Sequence, residues 1–400
     1  MAIFSVNSGS SSLKFSLHPL SGDNVLPAVL SGNIQGLEPG GQPTMGWTLN
    51  GQKGEQALPP GGDDPFETAL HSLVQWLGQQ HGLPMPQAVA HRVVHGGGRF
   101  TGSVVVTPEV LDALAAFHSL APLHQPHNLQ GIRSFQKVMP QLPQIACFDT
   151  AFHASLPEVA WRFALPQSLA DQGVRRYGFH GLSYQFIMGQ LLERSAKARG
   201  RVLMAHLGNG ASLCGTLDAR SQATTMGFSA LDGLMMGTRS GSLDAGVLLY
   251  LLEQGWDHDR LEKLLYKQGG LLGVSGISAD MRRLRNDGSS SARLAIDLFT
   301  YRVVREAGAI VACLQGLDVL AFSGGIGEHD VQLRQDVCAQ LAWMGVVLDA
   351  DANRAATGDD IRRISAERST VEVWVVPTDE GRVAAQEAAR LLSGSGHPAP

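Results

Sequence analysis

The chain lacks several features that would decide its class at once. It has no GxxxxGK[ST] stretch, which excludes a P-loop phosphate site. No apolar run approaches the ~18 residues of a membrane span. No basic n-region and apolar h-region precede the first strand, so no secretory signal is expected. Cysteine is scarce: Cys147, Cys214, Cys313 and Cys338 are far apart and form no CxxC pair. Each sits in or beside an apolar run, so all four read as buried thiols in a reducing compartment, by default the cytoplasm. Positive charge is not in excess. The net charge of −5 argues against a nucleic-acid binder working by bulk electrostatics.

What is present starts with length. Four hundred residues suggest two domains, because single cores rarely outgrow ~250–300 residues. The stretch from Phe4 to Leu17 runs from an apolar strand through a turn of small hydroxyl residues, Ser8-Gly9-Ser10-Ser11-Ser12. It then returns through Leu13, Phe15 and Leu17 with period-2 alternation. A hairpin with so many donors and so little bulk can cradle phosphate oxygens, and Lys14 adds a positive charge. The pattern recurs at Val202–Leu217 around Gly208-Asn209-Gly210. Two such hairpins imply a duplicated α/β fold with ligands in a cleft between the halves.

Local signals place the other elements. Residues 38–65, rich in Gly, Pro and Gln, read as a loop or irregular hairpin. Asp64-Pro65 opens a helix to about Gln80. Ala88 to Val94 is a strand whose alternation puts Arg92 and Val94 on one face and His91, Val93 and His95 on the other. Pro108 to Leu120 reads as a helix, 121–128 as a proline-punctuated turn, and 291–314 as the clearest helix, ended by Gly316. Residues 224–244 form a long loop carrying Gly237-Thr238-Arg239-Ser240-Gly241, and 382–392 a last helix before a disordered tail. Asp149, Gly208–Gly210, Gly324–Glu328 and Asp379-Glu380 all follow directly on apolar strands. Ligands of α/β sheets bind at such carboxyl ends.

Some spacings mislead. His91-x3-His95 and His124-x2-His127 resemble metal spacing, but strand residues four apart are separated by about 13 Å, so the first pair is no zinc site. Gly324-Gly325-Ile326-Gly327 is not GxGxxG, although its glycines permit close backbone approach to a phosphorylated ligand. Arg92 inside an apolar strand needs an anion, either an internal carboxylate or a substrate. Arg239 poses the same choice. Two arginines, His180 and two hydroxyl-rich hairpins around one cleft would suit phosphoryl transfer to an anion.

Nine segments in order, among them Asn7–Lys14, His91–Gly97, Leu120–His124, Phe148–His153, Tyr177–Gly181, His206–Gly210, Met236–Gly241, Gly273–Gly276 and Gly324–Glu328, resemble the acetokinase family. The resemblance covers residues 4 to 380. It implies a duplicated ribonuclease-H-like two-domain fold of the actin, Hsp70 and sugar-kinase type with an interdomain cleft. One lobe would be 1–149 plus 381–400, on the substrate side; the other would be 150–380, on the nucleotide side. It implies reversible transfer of the ATP γ-phosphoryl group to a short-chain carboxylate, acetate giving acetyl phosphate, in a homodimer.

The resemblance also implies roles. Mg²⁺, or Mn²⁺ in its place, would be held by Asn7 and Glu380. ATP would be held by Lys14, His206, Leu207, Gly208, Asn209, Gly210, Asp280, Met281, Arg282, Gly324, Gly325, Ile326, Gly327 and Glu328. Arg92 would bind the carboxylate, and Val94, Leu123 and Phe179 would line a small apolar pocket. His180 and Arg239 would stabilise the transition state, with Asp149 as the catalytic carboxylate. A carboxylate acceptor, with a pKa near ~4.3, is already ionised at neutral pH, so Asp149 is expected to position groups and not to remove a proton. The chain departs from the family at Leu182-Ser183-Tyr184, Ser229-Ala230 and Ala245. The loss of a proline at Ala230 would open room for propionate or butyrate. A sugar kinase of the same core would need a polar pocket in place of an arginine beside Val94.

Overall fold

The computed structural model describes residues 1–22, 24–38, 40–61, 64–118 and 124–394. The chain divides into two units, Met1–Phe152 with Asp379–Pro400, and His153–Thr378.

The first unit is built on strands β1 (Ala2–Ser8), β2 (Ser12–Ser21), β3 (Asn24–Val25), β4 (Leu30–Gln35), β5 (Thr44–Leu49), β6 (Gln52–Ala57), β7 (Pro86–Val93), β8 (Val104–Val105) and β9 (Gln144–Phe148). They lie in the order β6-β5-β4-β2-β1-β7-β9-β8, with β3 on β2. β1 is antiparallel to β2 and parallel to β7, and β7 is parallel to β9. β1 and β9 are buried along nearly their whole length, which is why they read as continuous apolar runs.

The second unit contains β10 (Val202–Leu207), β11 (Ala211–Leu217), β12 (Arg220–Thr224), β13 (Val319–Ser323), β14 (Arg362–Arg363) and β15 (Glu372–Val375), in the order β12-β11-β10-β13-β15-β14. The central orders β4-β2-β1-β7-β9 and β12-β11-β10-β13-β15 have the same topology. In each, an antiparallel meander of three strands continues into two parallel ones. The fold is the duplicated ribonuclease-H-like α/β fold. Among the described residues, no helix is long and apolar enough to cross a membrane.

Helices follow their capping signals. Asp64 caps helix Pro65–Gln79 by accepting from Glu67 N at 2.9 Å. Phe66, Leu70, Leu73 and Trp76 recur three and four apart and bury one face against Phe4, Phe15, Leu17 and Met45 of the sheet. Further along the same face of the sheet, Leu129, Ile132, Val93, Phe100 and Phe148 form a separate cluster. Each such side chain contributes roughly 1.5–3 kcal/mol by burial.

Several expectations need correction. Residues 38–65 include a regular hairpin, β5–β6, whose Asn50-Gly51 turn takes positive φ at both central residues, 49° and 82°. Gly46 and Gly54 belong to its strands: a Cβ on Gly54 would strike the Trp47 ring. The stretch 121–128 is not all turn, because Pro126 lies in the first turn of helix Gln125–Val138 and starts it; 121–123 lie outside the described residues. Helix Pro108–Ala115 is shorter than expected. Cys313 is exposed, on the outer face of helix Ser290–Leu314, whereas Cys147, Cys214 and Cys338 are buried. The left-handed cap of that helix is Gln315, one residue before Gly316. The last helix spans Glu380–Leu392, and most of the expected tail, 395–400, lies outside the described residues.

Candidate active site

In the first unit, Arg92 near the end of β7 is gripped by two carboxylates. Its Nε and Nη2 donate to Asp149, at 3.0 Å to Oδ1 and 2.7 Å to Oδ2, and Nη1 lies 3.1 Å from Glu380 Oε2. Asp149 sits just beyond β9 and is held there by its own N–H, which donates to Val93 O at 3.0 Å. Burial alone would weaken the charge on Arg92, but the carboxylates of Asp149 and Glu380 outweigh it and fix the guanidinium as a cation. A guanidinium carries five N–H groups and Asp149 takes two of them, so N–H groups remain on both terminal nitrogens for a further carboxylate. The anion that the sequence demanded for Arg92 is therefore internal, with capacity left over.

Val94 is half-buried, as Arg92 is, while His91 and Val93 are buried, which is the expected alternation. His91 Nε2 is bonded to Gln144 Oε1 at 2.7 Å, and burial lowers its pKa to about 4, so it is a neutral core histidine and no metal ligand. Asn7 and Lys14 face each other across the β1–β2 register. Leu123 lies outside the described residues. Asn128, which carried no expected role, ties two strand ends together. It accepts from Val94 N at 3.0 Å and donates to Ser8 O at 2.9 Å.

In the second unit, four predicted segments meet at the ends of β10 and β13. The Gly208-Asn209-Gly210 turn is closed by Gly208 N donating to Gly210 O at 3.0 Å. Gly237 N donates to Asn209 O at 3.0 Å, docking the long loop on that turn. A Cβ built on Gly210 would lie 3.2 Å from His180 Nε2 and 3.6 Å from Arg239 Nη2. His180, Arg239 and the turn thus converge on one spot. His180 stacks on His206 at 4.2 Å between centroids. It adopts a left-handed backbone, φ 59°, uncommon for a residue with a side chain. The preceding Phe179 is buried, and its carbonyl is bonded to His153 Nε2 at 3.0 Å. Burial lowers the pKa of His153 to about 4, so this support is a neutral imidazole. Arg239 Nη1 donates to Ala230 O at 2.7 Å, joining two parts of the long loop.

A cavity of about 810 Å³ adjoins the turn. Gly208, Asn209, Asp280, Met281, Arg282, Gly325 and Ile326, all from the set expected to hold ATP, line it, and so do Arg285, Asn286 and Val331, for which no role was expected. Its size suits a nucleotide. Gly324 has φ +74°, and a Cβ there would lie 2.7 Å from Leu207 O, so only glycine lets the Gly324–His329 helix start against β10. Glu328 turns inward: its Oε1 accepts from Gly324 N at 2.8 Å and Thr378 N at 3.1 Å, so it shapes the glycine turn. Arg334 is fully buried and donates to the carbonyls of Gly327, Glu328, Asn353 and Ala356 and to Asn353 Oδ1. It pins the far end of the same turn. A lone arginine in a polar helix gave no cue to that role.

A duplicated ribonuclease-H-like fold with glycine turns and cationic side chains at strand ends defines a phosphotransferase. The acetokinase family model matches residues 2–386. An acetate kinase of Rhodopseudomonas palustris is 50% identical over 396 residues, covering 97% of this chain and 98% of its own. One of Rickettsia prowazekii is 38% identical, covering 98% and 99%. Among solved structures, a propionate kinase of Francisella tularensis superposes with TM-score 0.89 at 34% identity, covering 96% of this chain and 98% of that one. The acetate kinase of Porphyromonas gingivalis gives 0.86 at 35%, covering 98% and 99%. The chain belongs to the acetokinase family.

Proposed function

We propose that this chain transfers the γ-phosphoryl group of ATP to acetate, giving ADP and acetyl phosphate, and catalyses the reverse reaction. The observation that carries the reading is the meeting of His180 Nε2 and Arg239 Nη2 on the Gly210 turn, beside a nucleotide-sized cavity. Donors fixed before reaction, aimed at charge on a transferring phosphoryl group, are what this chemistry needs. ATP occupies the cavity lined by Gly208, Asn209, Asp280–Arg282, Gly325 and Ile326. His206, Leu207, Gly210, Gly324, Gly327 and Glu328 shape its phosphate end, and Lys14 adds charge. The remaining N–H groups of Arg92 take the acid's carboxylate, and Val94, Leu123 and Phe179 supply the apolar wall.

The acceptor oxygen of ionised acetate attacks phosphorus, and the bond to the ADP oxygen breaks. No proton moves, so Asp149 serves by holding Arg92. Asn7 and Glu380 offer oxygen donors, and a magnesium site with few protein ligands suits an ion that keeps waters and phosphate oxygens. Mg²⁺ there would neutralise phosphate charge, and Mn²⁺ would serve in its place.

Helix Ala245–Glu253 buries none of its residues and exposes Leu249, Tyr250 and Leu252 by about half. We assign that face to a second copy of the chain, a homodimer that sedimentation would detect. The buried thiols suit the cytoplasm. Propionate is the second reading, favoured by Ala230 beside Arg239. Trapping the acyl phosphate with hydroxylamine, with acetate, propionate and butyrate in turn, tests both. No hydroxamate from any acid refutes the function. A higher kcat/KM with propionate replaces acetate.

A further inference from the structure

Tyr184 stands where the chain departs from its family, one helical turn after His180. Its N–H donates to His180 O at 3.0 Å, so both residues belong to the opening of helix Gly181–Arg194. The phenol is fully buried and lies 2.5 Å from Ser212 Oγ. Ser212 is itself fully buried on β11, and its Oγ lies 2.8 Å from His180 Nδ1. A line of hydroxyls therefore runs from the core to the back of the imidazole whose front nitrogen meets the Gly210 turn.

Counting protons gives the line a direction. Ser212 has one proton and two partners. In a pair of a phenol and an aliphatic hydroxyl the far more acidic phenol is the donor, which sends the phenolic proton to Ser212. Burial pushes the phenol's ionisation well above its usual range, so it stays a donor. Ser212, accepting from Tyr184, then donates to His180 Nδ1. Arg239 Nη2 approaches the same turn as Nε2, and His206 is stacked on the ring. His153 and Cys214 also flank the phenol.

We propose that Tyr184 is a positioning residue: acting through Ser212, it holds His180 as the neutral tautomer with its proton on Nε2. The ring then offers a hydrogen bond to the transferring phosphoryl group without becoming an imidazolium. The inference deepens the phosphoryl-transfer reading and rests on it for its catalytic meaning, but the tautomer itself is a property of the protein alone.

The test uses the full chain labelled with ¹⁵N-histidine. Long-range proton–nitrogen spectra report which ring nitrogen carries the proton, and His180 is identified by the signal missing in His180→Gln. The wild type shows a protonated Nε2 and an accepting Nδ1. Tyr184→Phe, which removes one oxygen and keeps the ring, lets Ser212 accept from Nδ1, so a second tautomer appears. Its kcat falls roughly 10–100-fold, as for a misplaced proton donor, with KM for acid and ATP within about twofold. Ser212→Ala gives the same loss, and the double variant is no worse than the worse single one, because both cut the same line. If Tyr184→Phe fails to fold, Ser212→Ala carries the test against Ser212→Thr, which keeps the hydroxyl and should keep the tautomer. An unchanged tautomer, or additive losses, overturns the proposal. If the wild type makes no acyl phosphate, the function is wrong while the spectra still decide the tautomer.

Discussion

Asp149→Asn separates the two things that a carboxylate beside an arginine can do. The substitution keeps one acceptor oxygen for Arg92 but removes a charge that makes contacts of 2.7 and 3.0 Å. Stripping one partner from a buried ion pair costs about 3–5 kcal/mol. Arg92 keeps Glu380 at 3.1 Å, and its side chain is 21% exposed. The loss should therefore be nearer 2 kcal/mol, about 4–8 °C in the unfolding of this unit. Calorimetry reads that directly. In the hydroxamate assay the loosened guanidinium should raise KM for acetate by roughly tenfold, one hydrogen bond to a charged group. The deficit should be the same at every pH above neutral, because acetate has no proton left to lose. Recovery of activity as pH rises would refute this reasoning and make Asp149 a proton acceptor.

Arg92→Ala should raise KM for the acid far more than it lowers kcat, and Arg239→Ala should lower kcat chiefly; steady-state kinetics with the reverse pattern would exchange their roles. Arg334→Lys cannot satisfy the carbonyls of Gly327, Glu328, Asn353 and Ala356. It should cost roughly 2–3 kcal/mol and weaken ATP binding by calorimetric titration, with KM for acetate unmoved. His91 and His153 are buried with pKa values of about 4, below the ~6.5 of an unfolded histidine. The unfolded chain thus binds more protons between those values. Their contribution is whole above pH 6.5 and is lost as pH falls towards 4, about 2 kcal/mol each by pH 5. A melting temperature flat from pH 7 to 5 would contradict it.

The hairpins, the crossover strands and the longest helix were legible because each rests on local rules: alternation, helical spacing, a capping Asp64. The Arg92 position was legible as an oddity, a cation in an apolar strand. Its partner Asp149 lies 57 residues away and Glu380 far beyond, and only strand order brings them together. The β5–β6 hairpin was blurred by composition, because Gly54 is there to admit Trp47 and so looks like loop. Asn128, Ser212 and Arg334 were illegible as supports. Their partners are backbone groups or side chains distant in sequence, and a polar residue that satisfies buried carbonyls looks the same as one that faces water.

The order of synthesis gives the split chain a consequence. Helix Glu380–Leu392 covers β1 and β7 with Val383, Ala384 and Ala388, and Ser5 Oγ waits for Gly381 O at 2.7 Å. These partners leave the ribosome only after 153–378 has been made, so the unit begun first is finished after the second, and its sheet emerges with one face bare. The contiguous stretch 153–378 can complete its own sheet meanwhile. A nascent chain halted before residue 380 would hold Arg92 with a single counter-charge and a naked apolar surface, the species a chaperone must shield.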